Sequence, residues 1–291
     1  MLGYLILSGV TTGALYALVA LGVVIVFKAT GTVNFAHGDL FMIGGFLAYT
    51  FHVMLGMNYI LALLLAVAGG FAIGVVTDRI AFRPLMRASL VSLVLATVGF
   101  SFIIKGVARI VWGGKADLFA FPPLLDPNPI FLGPVIIIPQ QLVAMAGAAL
   151  VMLIFAAFFR LTRVGKMMQA TADNPKAATL VGIRTDRIYM YAFGVGAAVA
   201  ASAAVLMAPL TLLYPDIGFA LFIKGFAAAV LGGLTSLPGA VVGGIVIGVI
   251  EALAGGYIHS SFIEAAPFIV IMVVLVLRPS GLFGQVALRR V

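Results

Sequence analysis

Asn34, His37 and Asp39 stand close together in Thr32 to Asp39, a polar, glycine-containing stretch between two apolar runs. An amide, an imidazole and a carboxylate offer donors, acceptors and a charge to a small polar solute. If the stretch interrupts a membrane-spanning helix, free backbone N–H and C=O groups join that set, and an amino-acid zwitterion would suit a site presenting both. The other reading is a turn in which Asn34 or Asp39 caps the next helix; the residues leave both open. No partner His or Cys lies at ligand spacing from His37, so no metal site is expected. Three histidines and no cysteine make a nucleophile and base hard to assemble. No catalytic residue is assigned, and a membrane enzyme ranks last among the function classes.

A second group is Gly232-Gly233 and Pro238-Gly239, followed by Gly243, Gly244 and Gly248. The small-xxx-small spacings at Gly239/Gly243 and Gly244/Gly248 let helices approach closely, which is one sufficient reason for them. The functional reading is a hinge or broken helix beside a solute path, adding Gly232 and Gly233 to Asn34, His37 and Asp39 as pathway candidates. Lys224 and Glu251 are charges among apolar residues. Ionisable groups inside a membrane suggest function, but both fall near expected helix ends and could snorkel.

The third group lies in Met167 to Ile183. Pro175 suits the first turn of a helix, with Asp173 or Asn174 as N-cap and Gly182 as a left-handed stop. Ala177, Ala178 and Thr179 leave a surface of small side chains that another protein could approach. The alternative is an ordinary amphipathic connector.

The elements that must position these groups are transmembrane helices. Of 291 residues, 64% are hydrophobic and 9% charged, whereas a soluble domain carries about 25% charged residues. The uncharged stretch Leu40 to Thr77 leaves room for two passes around Gly56, Met57 and Asn58. Spanning strands would alternate apolar with polar, and these runs are apolar on every side. The net charge of +8 sits in loops between apolar runs, so it reports membrane topology and not nucleic acid. Leu2 to Phe27 has no basic leader and exceeds a signal-peptide core, which predicts a retained first helix.

Further runs are Leu40 to Leu55, Tyr59 to Thr77, Leu90 to Trp112, Gln140 to Phe159, Ile188 to Leu210, Phe219 to Leu231, Ala240 to Leu253 and Phe262 to Leu277. The fold class is therefore an all-α bundle of about eight or nine passes with broken or re-entrant segments. The runs at Phe219 and Ala240 are each short for a span and together too long for one, which leaves two tilted crossings or a re-entrant hairpin folding back at Thr235 to Pro238. Arg79, Arg83 and Arg87 in one loop, Arg160, Arg163, Lys166, Lys176, Arg184 and Arg187 in another, and Arg278, Arg289 and Arg290 in the tail predict cytoplasmic placement. Gly113 to Pro139, with Pro122-Pro123 and Asp126-Pro127, is then external. Parity gives an external N-terminus, a cytoplasmic C-terminus and nine crossings. Lys105 and Arg109, near the outer end of their helix, run against the rule. No long-period repeat is visible, and 1–291 reads as one transmembrane domain with 160–187 as a cytoplasmic loop within it.

Ala172-Asp173 followed by Ala177-Ala178 and Gly182-Ile183 resembles the coupling loop of ABC importer permeases. Gly13-Ala14-Leu15-Tyr16-Ala17-Leu18-Val19-Ala20-Leu21-Gly22, Val33-Asn34-Phe35-Ala36-His37-Gly38-Asp39, Arg83-Pro84-Leu85 and Gly232-Gly233-Leu234-Thr235-Ser236-Leu237-Pro238-Gly239-Ala240 resemble LivH-type permeases. The resemblance runs in order from about Leu5 to Pro279. It implies a bacterial inner-membrane subunit of an ATP-driven importer for branched-chain or other hydrophobic amino acids. It also implies a homologous second permease or a second copy, two ATPase subunits and a periplasmic binding protein, all around a bilayer-embedded core. Asp173, Ala177, Ala178 and Gly182 would couple it to the ATPases. No G-x-x-x-x-G-K-[ST] loop occurs, so no cofactor is expected on this chain, and ATP with magnesium would belong to the partners. The alternatives are an ion-coupled carrier of small polar solutes, for which only Asp39 and Glu251 offer intramembrane carboxylates, and an ABC permease for urea or amides.

Overall fold

The computed structural model describes residues 2–86, 88–113, 117–126, 128–132 and 135–284. Arg87, Pro127, Arg289 and Arg290 lie outside them. The described residues form α1 (Leu2–Thr30), α2 (His37–Tyr49), α3 (Tyr59–Thr77), α4 (Leu90–Trp112), the strands β1 (Ile130–Leu132) and β2 (Val135–Ile137), α5 (Pro139–Leu161), α6 (Arg163–Asp173), α7 (Pro175–Leu180), α8 (Thr185–Met207), α9 (Ile217–Gly232), α10 (Leu237–Tyr257) and α11 (Phe262–Leu277). The strands pair antiparallel, with Phe131 opposite Ile136. The chain is an all-α, multi-pass membrane protein, with six helices long and apolar enough to cross a bilayer among the described residues.

Burial follows composition. A helix apolar on all sides belongs either in a core or in lipid. α1 and α8 take the core, with Leu15, Leu18, Val24, Ala197, Ala200 and Val205 all buried. α3, α4 and α5 turn Leu64, Leu95, Phe102, Ile110, Leu153 and Ile154 outward. Large apolar side chains on the outside suit hydrocarbon surroundings, not water.

Small residues set the closest approaches. Gly244 and Gly248 of α10 lie against the backbone of Ala17 and Gly13 in α1, and Gly70 and Gly74 of α3 lie against Ala197, Ala201 and Phe193 of α8. Without a hydrophobic force between helices in lipid, such close packing supplies the attraction. The spacing at Gly244/Gly248 thus serves the packing reading.

The ends of the bundle are chemically distinct. Lys28 lies beside Phe159, Met168 and Gln169. Arg83 donates to the carbonyl of Asp186 at 2.9 Å. These contacts gather the ends of α1, α3 and α5 and the start of α8 beside α6 and α7, at a basic end. Phe119 bridges to Leu213, and Trp112 stacks on Phe46, at the opposite, hairpin end. The described residues of 113–139 and the 160–187 loop therefore lie on opposite ends, as the charge pattern requires.

Apart from α6 and α7 at the basic end, three helices are shorter than a full crossing among the described residues: α9 and α11, 16 residues or about 24 Å each, and α2, 13 residues continued by a π-helical turn over Thr50–Met54, against a hydrocarbon core of about 30 Å; α2 and α9 also begin inside the bundle. α2 starts at His37, whose ring abuts Gly22 of α1, beside Gly196 at the middle of α8. It runs outward to the hairpin end. α9 starts at the same level and runs inward to the basic end, where Gly233 meets Ser280 and Gly284. Each follows a core helix of opposite direction, α1 or α8, across a non-helical break. α1 to α4 and α8 to α11 are thus related by inverted topology, a relation carried by backbone path with no readable repeat in the residues. The run from Ala240 proves full length, because α10 includes Leu237 to Gly239 and Ala254 to Tyr257 and has 21 residues. Of these two runs α9 alone remains short, and residues 233–236 turn between them.

Candidate functional site

The breaks bring α2 and α9 together at their N-termini. A Cβ on Gly38 would strike the carbonyl oxygen of Gly218, and one on Gly218 would strike that of Gly38. Glycine is therefore a steric requirement of the crossing. Each N-terminus carries roughly half a positive charge, so bringing two together needs compensation. Asp39 in the first turn of α2 and Asp216 at the N-cap position of α9 place a carboxylate beside each.

α4 supplies the counter-ions. Lys105 Nζ lies 3.8 Å from Asp39 Oδ1. Arg109 Nη2 donates to Asp216 Oδ1 at 2.9 Å and to Oδ2 at 3.0 Å. One helical turn separates the two cations, so a single face of α4 meets both half-helices. Their position against the topology rule is explained by these pairs. Two further bonds hold α4 in register: Phe35 N–H donates to Thr97 Oγ1 at 3.3 Å, and Trp112 Nε1 donates to Thr50 Oγ1 at 2.7 Å.

A second cluster lies about two turns further along α9. Lys224 Nζ donates to Glu251 Oε1 of α10 and to the Tyr16 hydroxyl of α1 at 3.2 Å, and that hydroxyl donates to Glu251 Oε1 at 3.2 Å. Lys224 and Glu251 do not snorkel to the ends. α9 begins inside the bundle, so its second turn is deep within it.

Asn34, His37 and Asp39 come together as their spacing suggested, but their side chains are closed in, with residue exposures of 4%, 0% and 2%. Asn34 Oδ1 accepts from Ala36 N–H at 3.1 Å, and its carbonyl accepts from His37 N–H at 3.2 Å. It forms the turn that opens α2. His37 fills the space above Gly22, where a β-carbon would collide with the ring. Phe35, Ser101, Phe102, Lys105 and Phe219 line an open groove here of about 270 Å³. Gly232 and Gly233 are not brought to this group. They lie at the far end of α9, where Gly232 touches the backbone of Gly239 and Gly233 adopts φ +102°.

At the basic end, Asn174 is the N-cap of α7, its Oδ1 accepting from Ala177 N–H at 3.0 Å, while Asp173 ends α6. Gly182 has φ +86° and provides the left-handed stop. Ala178 is buried and Ala177 exposed. Leu180 and Val181 project with 89% and 76% of their surface free. Sequence reasoning missed Asp216 and Tyr16. Asp216 was discoverable: Tyr214-Pro215-Asp216 before an apolar run is a helix-start signal. Tyr16 carries no such mark, since its partners are distant in sequence.

The family described as "Branched-chain amino acid transport system / permease component" matches residues 5–277. The chain is 33% identical to the high-affinity branched-chain amino acid transport system permease protein LivH of Salmonella typhimurium, over 98% of this chain and 96% of that protein. It is likewise 33% identical to permease protein BraD of Pseudomonas aeruginosa, covering 98% and 97%. Among solved structures, PsaBC from Streptococcus pneumoniae in complex with Fab superimposes with a TM-score of 0.52 at 15% identity, covering 94% of this chain and 91% of that one. The last is a likeness of fold.

Proposed function

The chain belongs to the branched-chain amino acid transport permease family, and from that premise we propose that it is the membrane-spanning subunit of an ATP-binding-cassette importer for branched-chain or other hydrophobic amino acids. The observation that carries this reading is similarity to such permeases over nearly the full length of both partners. The basic end faces the cytoplasm, following the lysine and arginine asymmetry. There two ATPase subunits dock on α6 and α7, using ATP and magnesium that this chain does not bind. The exposed Leu180 and Val181 suit a protein partner, because apolar side chains projecting beyond the bilayer otherwise face water. A second permease, homologous or identical, completes the pore. A periplasmic binding protein delivers substrate at the hairpin end, which places the N-terminus outside and the C-terminus inside the inner membrane.

An ion-coupled carrier is disfavoured on electrostatic grounds. Coupling by proton or sodium needs a carboxylate free to exchange partners. Among the described residues Asp39, Asp216 and Glu251, at and beside the half-helix crossing, each have a resident cation in Lys105, Arg109 and Lys224, while the unpaired Glu264 stands exposed at the start of α11. The deciding experiment is leucine uptake by proteoliposomes holding the complete complex and the binding protein, with and without enclosed ATP. Uptake that needs no ATPase and follows an ion gradient would refute the importer reading; selective uptake of urea or amides would redirect the substrate class. Ala177→Trp tests the docking surface, since it should separate ATP hydrolysis from uptake while the bundle stays intact.

A further inference from the structure

We propose that the groove between α1, α9 and α11 is a subsite inside the permease through which a zwitterionic amino acid with an apolar side chain passes. Its carboxylate would be held at Lys224 and its ammonium at Glu264. The inference rests on the importer reading and adds to it where, and by which groups, this chain recognises the solute.

The groove has a volume of about 370 Å³, within the range of small-molecule sites. Its lining separates by chemistry. Lys224 and Glu264 are its two charged residues, of opposite sign and on different helices. Lys224 Nζ has three donors, of which Tyr16 and Glu251 occupy two, leaving one for an incoming carboxylate. Ile217, Phe219 and Ala220 place the first turn of α9 on the same wall. Asp216 gives that turn no side-chain cap, because its carboxylate is engaged by Arg109.

Glu264 stands in the first turn of α11, exposed, with no ion pair among the described residues. It supplies the acceptor an ammonium requires. On the same lining Phe219 and Phe268 project with 55% and 52% of their surface free, a wall suited to an aliphatic side chain. A solute lacking its carboxylate or its ammonium would give up the contact to the spare Lys224 donor or to Glu264, which is how the groove would discriminate.

The test uses the complete transporter in nanodiscs and a leucine analogue carrying a diazirine in its side chain. Photolabel should appear on the segments containing Phe219 and Phe268. Excess leucine should displace it, while leucinamide and 4-methylpentanoate, each lacking one charge, should not. Glu264→Gln should lower leucine protection and ATP-driven leucine uptake by roughly tenfold or more, the worth of one charge-assisted hydrogen bond. Glu264→Asp should restore part of it. Labelling elsewhere, label that leucine does not displace, or unchanged protection and uptake in Glu264→Gln would overturn the subsite while wild-type ATP-driven uptake kept the importer reading intact. Wild-type protein that takes up no amino acid with ATP would overturn both.

Discussion

Replacing Lys105 by methionine should destabilise the protein more than replacing Asp39 by asparagine, and the double replacement should cost less than Lys105→Met alone. The asymmetry comes from surroundings. The Asp39 side chain is 3% exposed and enclosed by the helix crossing, whereas the Lys105 side chain is 12% exposed and borders an open groove. Lys105→Met strands a buried carboxylate, at about 3 to 5 kcal/mol. Asp39→Asn leaves an ammonium that can extend toward the groove, over the Phe102 and Phe219 rings 5.8 and 5.6 Å away. That contact offsets part of the loss, leaving about 1 to 3 kcal/mol. With both replaced, no unpaired charge remains, and the coupling energy should be at least about 2 kcal/mol. Reversible unfolding by SDS in mixed micelles measures each corner of the cycle. Equal single effects that add in the double variant would refute the assignment of this pair as a buried ion pair.

Gly38→Ala and Gly218→Ala should each lose folded protein or uptake, since the added methyl meets backbone at the crossing. Gly31→Ala, with φ +73° but open space around it, should cost only about 1 kcal/mol; expression and thermal retention of monodisperse protein distinguish the cases. Asn174→Ala removes the cap of α7 and should cost about 1 kcal/mol locally, read as faster amide exchange over 175–180 and weaker coupling of ATP hydrolysis to uptake. Single cysteines at positions 174 and 128 should be labelled by impermeant reagent from opposite sides, with 128 reached from outside intact cells; the reverse pattern would invert the topology.

Much of the fold was legible because hydrocarbon imposes one rule on the backbone. Leu2 to Phe27, Leu90 to Trp112 and Gln140 to Phe159 had to be helices, and the arginines of 160–187 had to share an end with Arg79 and Arg83. The capped α7 was equally readable, since Asn174, Pro175 and Gly182 act through neighbours in the chain. The break at Thr32 to Asp39 could be seen as well, though not what it was for. That depended on α9, whose start lies far along the sequence. Nothing local to Asp39 reveals that Lys105 answers it, or that Asp216 and Arg109 repeat the arrangement across the crossing. The same holds for Tyr16, Lys224 and Glu251, three residues on three helices. Local periodicity and caps are short-range properties of a chain, so the sequence alone determined the helices, their ends and which loops carry the basic charge. Which charges meet, and which glycines let two half-helices touch, are long-range pairings that only the packed bundle decided.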